Sequence, residues 1–589
     1  MTCLTAMARR GFVSLACLTL TAHSVGCMTT AKTAQLVLTD TERTIRERDK
    51  NAPKSSPNNA PILFLAFDGV NRDLLYDMLE KGELPKLTDL LSGEGKNFPH
   101  AYFDPTLLST MPSSTMAAWT TAMTGVPPAV HGVSGNEFFI REESRLGAPA
   151  PVSFSDSKPT IEIYTDGYLN NLVKVPTVYE RMRQREPNIA IWVALHQIYS
   201  GADRLLFATN TVMARALEEG LIKITKKTAK TATLQDDDKP DRAMFAMLDD
   251  DVIDKVVDAL DDEDDPVPDV LTVYLTGTDL YAHVAEEGPD EARRAYLHEV
   301  ADPALGRLAA KLRERGALSD RWVVLTSDHG HTPVRHDESH ALYTEGPDSP
   351  ARLIDKAGYR LRPFAEKVDK DKGFDAVLAE GGATSFVYLA DRTTCGGPKG
   401  VCDWKKPPRY REDVLPLAEA IFQNNREGKL VPALKGTIDL VLTREPKPYA
   451  EDDLPFEVYV GDGRTVPLGA YLEQHPHPTY IEAEGRLRDL AAGPRGERAG
   501  DIMLIAHNGD RDIPDERYYF ASPYRSWHGS PSRQDSEIPL IVANPRYMKE
   551  QIRDRVKLLL ADAPRQQKIT DLLLDLRGEP RKTTSAHAD

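Results

Sequence analysis

The feature that most constrains this chain is a set of buried-type strands that each end in possible metal ligands. In Trp322 to Val334 (WVVLTSDHGHTPV), the apolar run from Val323 to Leu325 is followed closely by Asp328 and His329. Such a run is typical of a strand buried on both faces of a parallel sheet, and ligands bind at the carboxyl ends of those strands. A carboxylate beside an imidazole suits a zinc-like ion. Taken alone, the pattern fits a capped turn equally well.

Two further strands of this kind lead into the same residue types. Residues 61–67 (PILFLAF) run into Asp68, for which a helix-capping role is the alternative. Residues 269–275 (DVLTVYL) run into a segment that holds Asp279 and His283. Because these two residues are four positions apart, they share one face of a helical turn and can hold one ion. A later histidine, His528 in SWHGS, completes a set of six possible ligands.

A hydroxyl accompanies these ligands. Residues 112–115 (PSST) form a turn into a helix, which places Thr115 at the helix start. A hydroxyl there is usually a helix cap, but a helix start also favours phosphate and stabilises a nucleophilic alcohol. Six ligands and one alcohol suit two ions held side by side, which is the arrangement used in phosphoryl transfer.

The net charge of the chain limits the classes of partner that it can bind. The chain of 589 residues carries a formal charge of −17, and part of the acidic excess lies in residues 236–238 and 261–265. Non-specific binding of nucleic acid requires clustered Lys and Arg, so we expect no nucleic-acid duplex as a partner and interpret the acidic runs as solvated surface. A small-molecule phosphate ester is the expected substrate.

Residues 1–27 have the pattern of a signal peptide. Arg9 and Arg10 precede an apolar run at residues 11–20, which is too short to span a bilayer permanently. The segment ends in Ser24-Val25-Gly26-Cys27, which resembles a bacterial lipobox with Cys27 as the lipidated residue. Ser24 departs from the usual Leu, so simple secretion and a retained anchor stay open. The expected location is the periplasm or the outer membrane and cell surface.

The remaining cysteines favour an exported protein. Cys395 and Cys402 flank a Gly/Pro-rich loop, TTCGGPKGVCDW. Two cysteines across such a loop in an exported chain predict a disulfide. A zinc site is less favoured there because no second pair of Cys or His lies nearby.

The strand and helix patterns predict a doubly wound α/β fold with a mostly parallel central sheet flanked by helices, and an inserted smaller α+β cap domain. The expected divisions are a tether at residues 28–59, a catalytic core at 60–345 and 501–578, the cap at 346–500, and a disordered tail at 579–589.

Five motifs, in order, resemble those of the alkaline phosphatase superfamily and most closely its type I phosphodiesterase/nucleotide pyrophosphatase branch. They are AFDGV (66–70), PSSTMAAWTTAMTGVPPAVHGV (112–133), TGTDLYAH (276–283), TSDHG (326–330) and WHGS (527–530). The resemblance covers residues 61–132, 270–334 and 500–545 and leaves the cap uncovered.

The resemblance implies roles for individual residues. In that branch the nucleophile lies ten residues before the Gly of a Thr-Gly pair, which is Thr115 counted back from Gly125. It implies two Zn²⁺ ions, and the two ligand sets are Asp68, Thr115, Asp328 and His329 for one ion and Asp279, His283 and His528 for the other. It also implies a phospho-threonine intermediate and a contact between Asn136 and a phosphate oxygen; a turn-forming role is the alternative for Asn136.

Several alternatives accompany that assignment. Ala117 and Ala118 stand where the family often has Pro-Asn, which weakens any transfer of nucleotide specificity. Ser114 is a second candidate nucleophile. His336 or His340 could replace His528 as a ligand, and His331 is expected to be an exposed neighbour. A sulfatase is disfavoured because no C/S-x-P-x-R motif is present.

Three functions remain to be compared. The first is an exported phosphodiesterase or pyrophosphatase. The second is a phosphomonoesterase or phosphotransferase on the same core, which would need an additional Lys or Arg at the phosphate. The third is a non-catalytic surface-binding protein, which the loss of ligands would mark; all seven ligand positions are present.

Overall fold

The computed structural model describes residues 42–47, 59–153, 158–208, 242–262, 265–344, 346–365, 367–369, 373–396, 400–509, 514–561 and 563–578. The predicted signal segment 1–27 with Cys27, most of the predicted tether, and the predicted tail 579–589 lie outside these ranges. Within them, no helix combines the length and the apolar character needed to cross a bilayer.

The strands are short, as expected for a globular α/β protein. They are β1 (Glu42–Thr44), β2 (Ile62–Phe67), β3 (Ala101–Asp104), β4 (Phe138–Ile140), β5 (Arg145–Gly147), β6 (Ile191–Ala194), β7 (Arg204–Leu206), β8 (Val270–Leu275), β9 (Trp322–Ser327), β10 (Thr332–Pro333), β11 (Ala376–Gly381), β12 (Thr384–Leu389), β13 (Ile438–Arg444), β14 (Phe456–Gly461), β15 (Arg464–Pro467), β16 (Ile502–Ala506), β17 (Ser526–Trp527) and β18 (Leu540–Ala543).

The helices connect and flank these strands. They are α1 (Arg72–Lys81), α2 (Pro85–Leu90), α3 (Thr115–Thr124), α4 (Pro128–His131), α5 (Lys158–Thr165), α6 (Tyr168–Leu172), α7 (Val178–Arg185), α8 (Arg242–Asp261), α9 (Gly277–Ala282), α10 (Pro289–Tyr296), α11 (Asp302–Glu314), α12 (Pro350–Lys356), α13 (Leu415–Glu427), α14 (Leu468–Gln474), α15 (Ala483–Ala491), α16 (Arg533–Ser536), α17 (Lys549–Leu560) and α18 (Lys568–Leu576).

An eight-stranded sheet forms the core. Its order is β1-β7-β6-β8-β2-β9-β18-β3, with β7, β6, β8, β2 and β9 mutually parallel and β18 antiparallel to both of its neighbours. The central strands β2, β8 and β9 are buried along their whole length, which requires that both faces of the sheet be covered. The predicted α/β fold with a mostly parallel central sheet is therefore confirmed.

Helices pack on the core in two groups. In one, α11 packs against both α2 and α8, and α10 packs against α1. In the other, α18 packs against α3, α7 and α17. Apolar residues of both groups join the core cluster of the sheet. This arrangement is that of a doubly wound fold.

A second, antiparallel sheet has the order β11-β12-β16-β13-β14-β15. Five of its strands come from the predicted cap, but β16 follows the predicted boundary at residue 500 and pairs with β12 and β13. Our expectation that the core sheet resumes at Asp501 is wrong for this strand. Because β16 is buried along its length, its apolar run is the same as that of a core strand, and only pairing distinguishes them.

Two local predictions can also be compared with the structure. Within the predicted tether, β1 pairs antiparallel with β7 and forms an edge of the core sheet, so this short polar segment is not all linker. The predicted disulfide is confirmed, because Cys395 and Cys402 are joined with an S–S distance of 2.02 Å.

Candidate metal centre

Strand register brings the first two ligands together. Phe67 at the end of β2 pairs with Leu275 of β8 on one side and with Ser327 of β9 on the other. The next residues, Asp68 and Asp328, therefore leave the sheet at the same edge. The backbone N–H of Asp68 still donates to the Leu275 carbonyl, at 3.0 Å, so Asp68 is held at the end of the ladder.

Asp68, Asp328 and His329 form what we call the carboxylate half of the site. Their three ligand atoms lie within 4.8 Å of one another. His329 Nε2 is 3.5 Å from Asp68 Oδ1 and 3.4 Å from Asp328 Oδ2. These two oxygens are buried and have no hydrogen-bond donor among the described residues. Two orphaned carboxylate oxygens facing one imidazole nitrogen fit a cation between them.

The other oxygens of the two aspartates are held by the protein. Tyr274 donates its hydroxyl to Asp68 Oδ2. Asp328 Oδ1 accepts from the backbone N–H of Gly69 at 3.0 Å and of His329 at 2.9 Å. Each carboxylate therefore has one oxygen fixed by hydrogen bonds and one oxygen turned towards the site.

The electrostatics of these carboxylates favour the binding of a cation. Burial, with the nearby charges of Asp328 and Asp279, raises the pKa of Asp68 well above its usual value. Burial also raises the pKa of Asp328, although His329 opposes that shift. Carboxylates crowded in this way are stabilised in their ionised form by a bound cation.

Asp279, His283 and His331 form the imidazole half. Asp279 lies in α9 and His283 directly follows that helix, and their ligand atoms and that of His331 lie within 4.8 Å of one another. Asp279 Oδ2 is 3.4 Å from His283 Nε2, and Asp279 Oδ1 is 2.6 Å from His331 Nε2. Although burial opposes it, the neighbouring His283 and His331 lower the pKa of Asp279 well below its usual range.

Buried Asp249 positions the helix that carries these residues. Its carboxylate accepts from the backbone N–H of Thr276 at 2.9 Å and of Gly277 at 3.0 Å, at the start of α9. The Tyr296 hydroxyl donates to the same carboxylate at 2.9 Å. Burial raises the pKa of Asp249 to about 6, although these hydrogen bonds oppose the shift.

Backbone carbonyls fix the orientation of three histidines. His329 Nδ1 donates to the Gly330 carbonyl at 2.9 Å, His283 Nδ1 to that of Ser526 at 2.8 Å, and His528 Nδ1 to that of Ser113 at 2.9 Å. Because Nδ1 holds the proton, Nε2 keeps its lone pair, which is the form that binds a metal ion.

His528 lies between the two halves. Its ring stacks on His329 with centroids 3.5 Å apart, and its Nε2 is 3.9 Å from Asp279 Oδ1. Its ligand atom groups with those of Asp279 and His329, whereas Asp279 and His283 group with His331. Burial lowers the pKa of His528 well below its usual value, and the charge of His329 adds to that effect.

Thr115 is the first residue of α3 and is buried beside the carboxylate half. Its Oγ1 lies 3.2 Å from His329 Nε2. Asn136 caps the same helix start, because its Oδ1 accepts from the Met116 N–H at 3.1 Å. Ser114 precedes Thr115 as the N-cap residue, and its buried Oγ has no hydrogen-bond partner among the described residues.

The structure brings all the predicted ligands, Thr115 and Asn136 to one region, and it corrects one expectation. His331 is not an exposed neighbour, because it is 2% exposed and touches Asp279. The available signal was its spacing, since residues two apart in an extended segment share a face and His329 is two residues earlier. His340 lies outside the site and pairs with Asp337, with Nδ1 2.8 Å from Oδ1; His336 is exposed.

Asp535, which sequence reasoning missed, joins the loops that carry the histidines. Its carboxylate accepts from the Thr332 hydroxyl at 2.6 Å and from the Ser530 hydroxyl at 2.6 Å, and its carbonyl accepts from the Gly330 N–H at 3.0 Å. The turn between β11 and β12 also borders this region, because the Ala383 N–H donates to the His528 carbonyl at 3.0 Å.

The separations fit the geometry of a zinc-like ion. Two ligands that each lie about 2.0–2.1 Å from a tetrahedral ion are roughly 3.3 Å apart. The contacts of His329 Nε2 with Asp68 and Asp328, and of His283 Nε2 with Asp279, are 3.4–3.5 Å. The residues present therefore fit metal binding in both halves.

Comparison with known proteins agrees with the sequence motifs. The family model for type I phosphodiesterase / nucleotide pyrophosphatase matches residues 62–392, which is more than half of the chain. A search of curated protein sequences found no significant match.

Two solved structures of murine ectonucleotide pyrophosphatase / phosphodiesterase 5 are similar to this chain. One is an inactive variant in complex with AMP, at 12% sequence identity and a TM-score of 0.45, with 88% of this chain and 96% of that chain covered. The other has 12% identity and a TM-score of 0.43, with 88% and 95% covered.

The predicted family is confirmed by the match over residues 62–392, and the Asp/His clusters agree with the metal dependence of that family. The chain belongs to the type I phosphodiesterase / nucleotide pyrophosphatase family and is a phosphoric ester hydrolase.

Proposed function

We propose that this chain is an exported two-zinc phosphodiesterase or pyrophosphatase that cleaves nucleotide-like phosphate esters through a phospho-threonine intermediate. The observation that carries the proposal is the position of Thr115. Its hydroxyl lies 3.2 Å from His329 Nε2, at a helix start, beside two groups of buried metal-ligand atoms.

The proposed ligands are divided between two ions. Asp68, Thr115, Asp328 and His329 would hold one ion, and Asp279, His283 and His528 the other. Carboxylate and imidazole ligands of this kind support zinc. When bound, two such ions lower the pKa of the attacking hydroxyl and stabilise charge on the attacking and leaving oxygens.

The side chains then carry out two displacements. Thr115 loses its hydroxyl proton to solvent, Oγ1 forms a bond to phosphorus, and the bond from phosphorus to the leaving oxygen breaks, so that this oxygen departs with the bonding electron pair. Water next loses a proton to solvent as its oxygen bonds to phosphorus, and the Thr115 oxygen departs and takes up a proton from solvent. The N-terminus of α3 stabilises the negative phosphate throughout.

Asn136 is proposed to orient the phosphate. Its Oδ1 accepts from the Met116 N–H, so the amide Nδ2 is the group with donors to offer. Asn136 is 7% exposed, so its amide is held close to Thr115 rather than being free on the surface. A hydrogen bond from Nδ2 to a non-bridging oxygen would fix the phosphate for in-line attack.

The hydrogen bonds of two buried arginines near the site, Arg293 and Arg486, favour diester cleavage over monoester cleavage. Arg293 Nη1 donates to the Gly69 carbonyl at 2.8 Å. Arg486 Nη2 donates to the Thr110 carbonyl at 3.0 Å and the Ser113 hydroxyl at 2.9 Å. Both guanidinium groups hold loops in place, whereas a monoesterase would use such a cation on the extra phosphate charge.

Export and lipidation at Cys27 are proposed from the N-terminal sequence. The disulfide between Cys395 and Cys402 supports an oxidising compartment, since such bonds form and persist outside the cytosol. The proposed location is the periplasm or the outer membrane and cell surface.

The test uses the chain from Met28 onward. Zinc content would be measured together with hydrolysis of bis(p-nitrophenyl) phosphate and p-nitrophenyl phosphate. We expect two zincs, faster diester cleavage, and a loss of at least about 10³-fold in kcat for Thr115→Ala. After a chemical quench, mass spectrometry of the wild-type protein should find phosphate on Thr115.

Ser114→Ala is the matched control because it removes the neighbouring hydroxyl and should keep most of the activity. If Ser114→Ala is the inactive variant, the nucleophile is reassigned. Faster monoester cleavage would establish a phosphatase, and an absence of bound zinc would refute the proposed site.

A further inference from the structure

We propose that His331 is an additional ligand of the metal ion held by Asp279, His283 and His528. The inference rests on the proposed two-metal function and extends it, because the sequence motifs assign only two histidines to this ion. With His331 the ion has one carboxylate and three imidazoles. Zinc expands to five-coordinate in some catalytic sites, so an oxygen of the substrate can still bind.

The first argument is position. His331 is buried, and its Nε2 lies 2.6 Å from Asp279 Oδ1. The rings of His331 and His283 have centroids 4.7 Å apart, and both present Nε2 to the same carboxylate.

The space for this ring depends on Gly69. A Cβ at Gly69 would lie 2.8 Å from His331 Nε2 and 2.9 Å from Asp279 Oδ1, and the φ of Gly69 is +68°. A residue with a side chain would therefore collide with His331 and Asp279 together. The glycine after Asp68 thus leaves room for the His331 ring beside Asp279.

The second argument is the proton on the ring. Ser526 donates its only hydroxyl proton to the Ala282 carbonyl, at 2.7 Å. Its oxygen can therefore only accept from His331 Nδ1, which lies 3.0 Å away. The proton of the neutral ring is on Nδ1, and Nε2 carries a lone pair, as in His283, His329 and His528.

A lone pair that faces a carboxylate oxygen at 2.6 Å is repulsive unless a positive charge, from a proton or from a metal ion, lies between them. A metal ion provides that charge and binds both atoms, and the two ligand atoms then separate by about 0.7 Å to reach the edge of a tetrahedron. Ser526 orients both ligands of this half, because its carbonyl holds His283 and its hydroxyl holds His331.

A competing interpretation is that His331 is a charged positioning residue. In that case it is doubly protonated and donates Nε2–H to Asp279 without touching the metal ion. Affinity for zinc does not separate the two interpretations, because loss of a residue that orients a ligand typically costs 10–100-fold in metal affinity. The test must therefore read coordination itself.

The direct test is a crystal structure of the zinc-loaded chain from Met28, with anomalous data at the zinc edge. We expect His331 Nε2 at about 2.0–2.1 Å from the zinc that also binds Asp279 and His283. A distance of more than about 3 Å from both zinc positions would overturn the inference while leaving the two-metal site intact. If the wild type binds no zinc, both the inference and the proposed function fail.

The second test follows Co²⁺ in solution and compares His331→Gln with His340→Gln. The control removes a histidine that also contacts an aspartate, Asp337, but lies outside the site. We expect His331→Gln to change the visible absorption bands of bound Co²⁺ and His340→Gln to leave them as in the wild type.

A third variant, Ser526→Ala, keeps the ring and removes the acceptor that fixes its proton. We expect the absorption bands of bound Co²⁺ to stay close to those of the wild type, because the ring still coordinates, while one of the two ions binds about 10-fold more weakly in competition with a chelator. If His331→Gln binds two Co²⁺ ions with unchanged absorption bands, His331 is not a ligand. Thermal unfolding of each metal-free variant checks that the fold is retained.

Discussion

The two halves of the metal centre are built by different means. The carboxylate half rests on adjacent parallel strands, and the register that pairs Phe67 with Ser327 places Asp68 beside Asp328. The imidazole half rests on a six-residue helix and two loops, which are held by the side chains of Asp249, Ser526 and Asp535.

The two halves of the metal centre also differ in charge. The carboxylate half has excess negative charge, and the pKa of Asp68 is raised by burial and by its acidic neighbours. In the imidazole half the neighbouring His283 and His331 lower the pKa of Asp279 although burial opposes them. The comparison indicates that the first half needs a cation to be stable, whereas the second is already partly balanced.

The largest effect on activity is expected from removing one charge of the carboxylate half. In Asp328→Asn the orphaned oxygen loses its charge, so we expect the loss of one bound zinc and at least about 10³-fold in kcat. Zinc content and diester hydrolysis would measure this. Asp337→Asn, which removes a carboxylate outside the site, should retain both zincs; equal losses in the two variants would contradict a specific role for Asp328.

A smaller effect on metal binding is expected in the imidazole half, from a substitution at Gly69, which directly follows Asp68 of the carboxylate half. Gly69→Ala places a Cβ against His331 and Asp279, and its left-handed backbone adds roughly 1–2 kcal/mol of strain. We expect about 10–100-fold weaker binding of one zinc in competition with a chelator.

Gly82→Ala is the matched control for that variant. Gly82 has a φ of +76°, but the nearest atom to its added Cβ is Lys96 Cε at 3.8 Å. It should lose similar stability in thermal unfolding and keep its zinc affinity. Weaker zinc binding in Gly82→Ala would show that strain alone explains the result.

The smallest expected effect is on the stability of the metal-free protein and on its pH dependence. Its sign should differ between the two halves. A raised native pKa contributes stability only at low pH, and that contribution is lost as pH rises through the native value. Asp68→Asn should therefore stabilise the metal-free protein at pH 8, because it removes a buried charge that burial and the neighbouring Asp328 and Asp279 disfavour.

Asp279→Asn should have the opposite sign. A lowered native pKa contributes stability above about pH 4, the usual value of an unfolded carboxyl, and that stability is lost as pH falls through the native value. The substitution should therefore destabilise the metal-free protein at pH 8. Thermal unfolding at pH 5 and pH 8 measures both variants, and equal signs at pH 8 would contradict the contrast between the halves.

The sequence by itself determined the fold class, the family and the disulfide. Buried parallel strands are continuous apolar runs, so β2, β8 and β9 are visible without the structure, and parallel strands deliver the residues that follow them to one edge. That physical rule is why Asp68 and Asp328 could be grouped from the sequence.

Only the tertiary structure decided the features that depend on partners distant in sequence. The apolar run of β16 belongs to the second sheet because of its pairing with β12 and β13. His331 lies in the site because Gly69 leaves room for it and Ser526, 195 positions later in the chain, fixes its ring. Burial and hydrogen bonding of a histidine are set by surrounding atoms, which local sequence patterns do not specify.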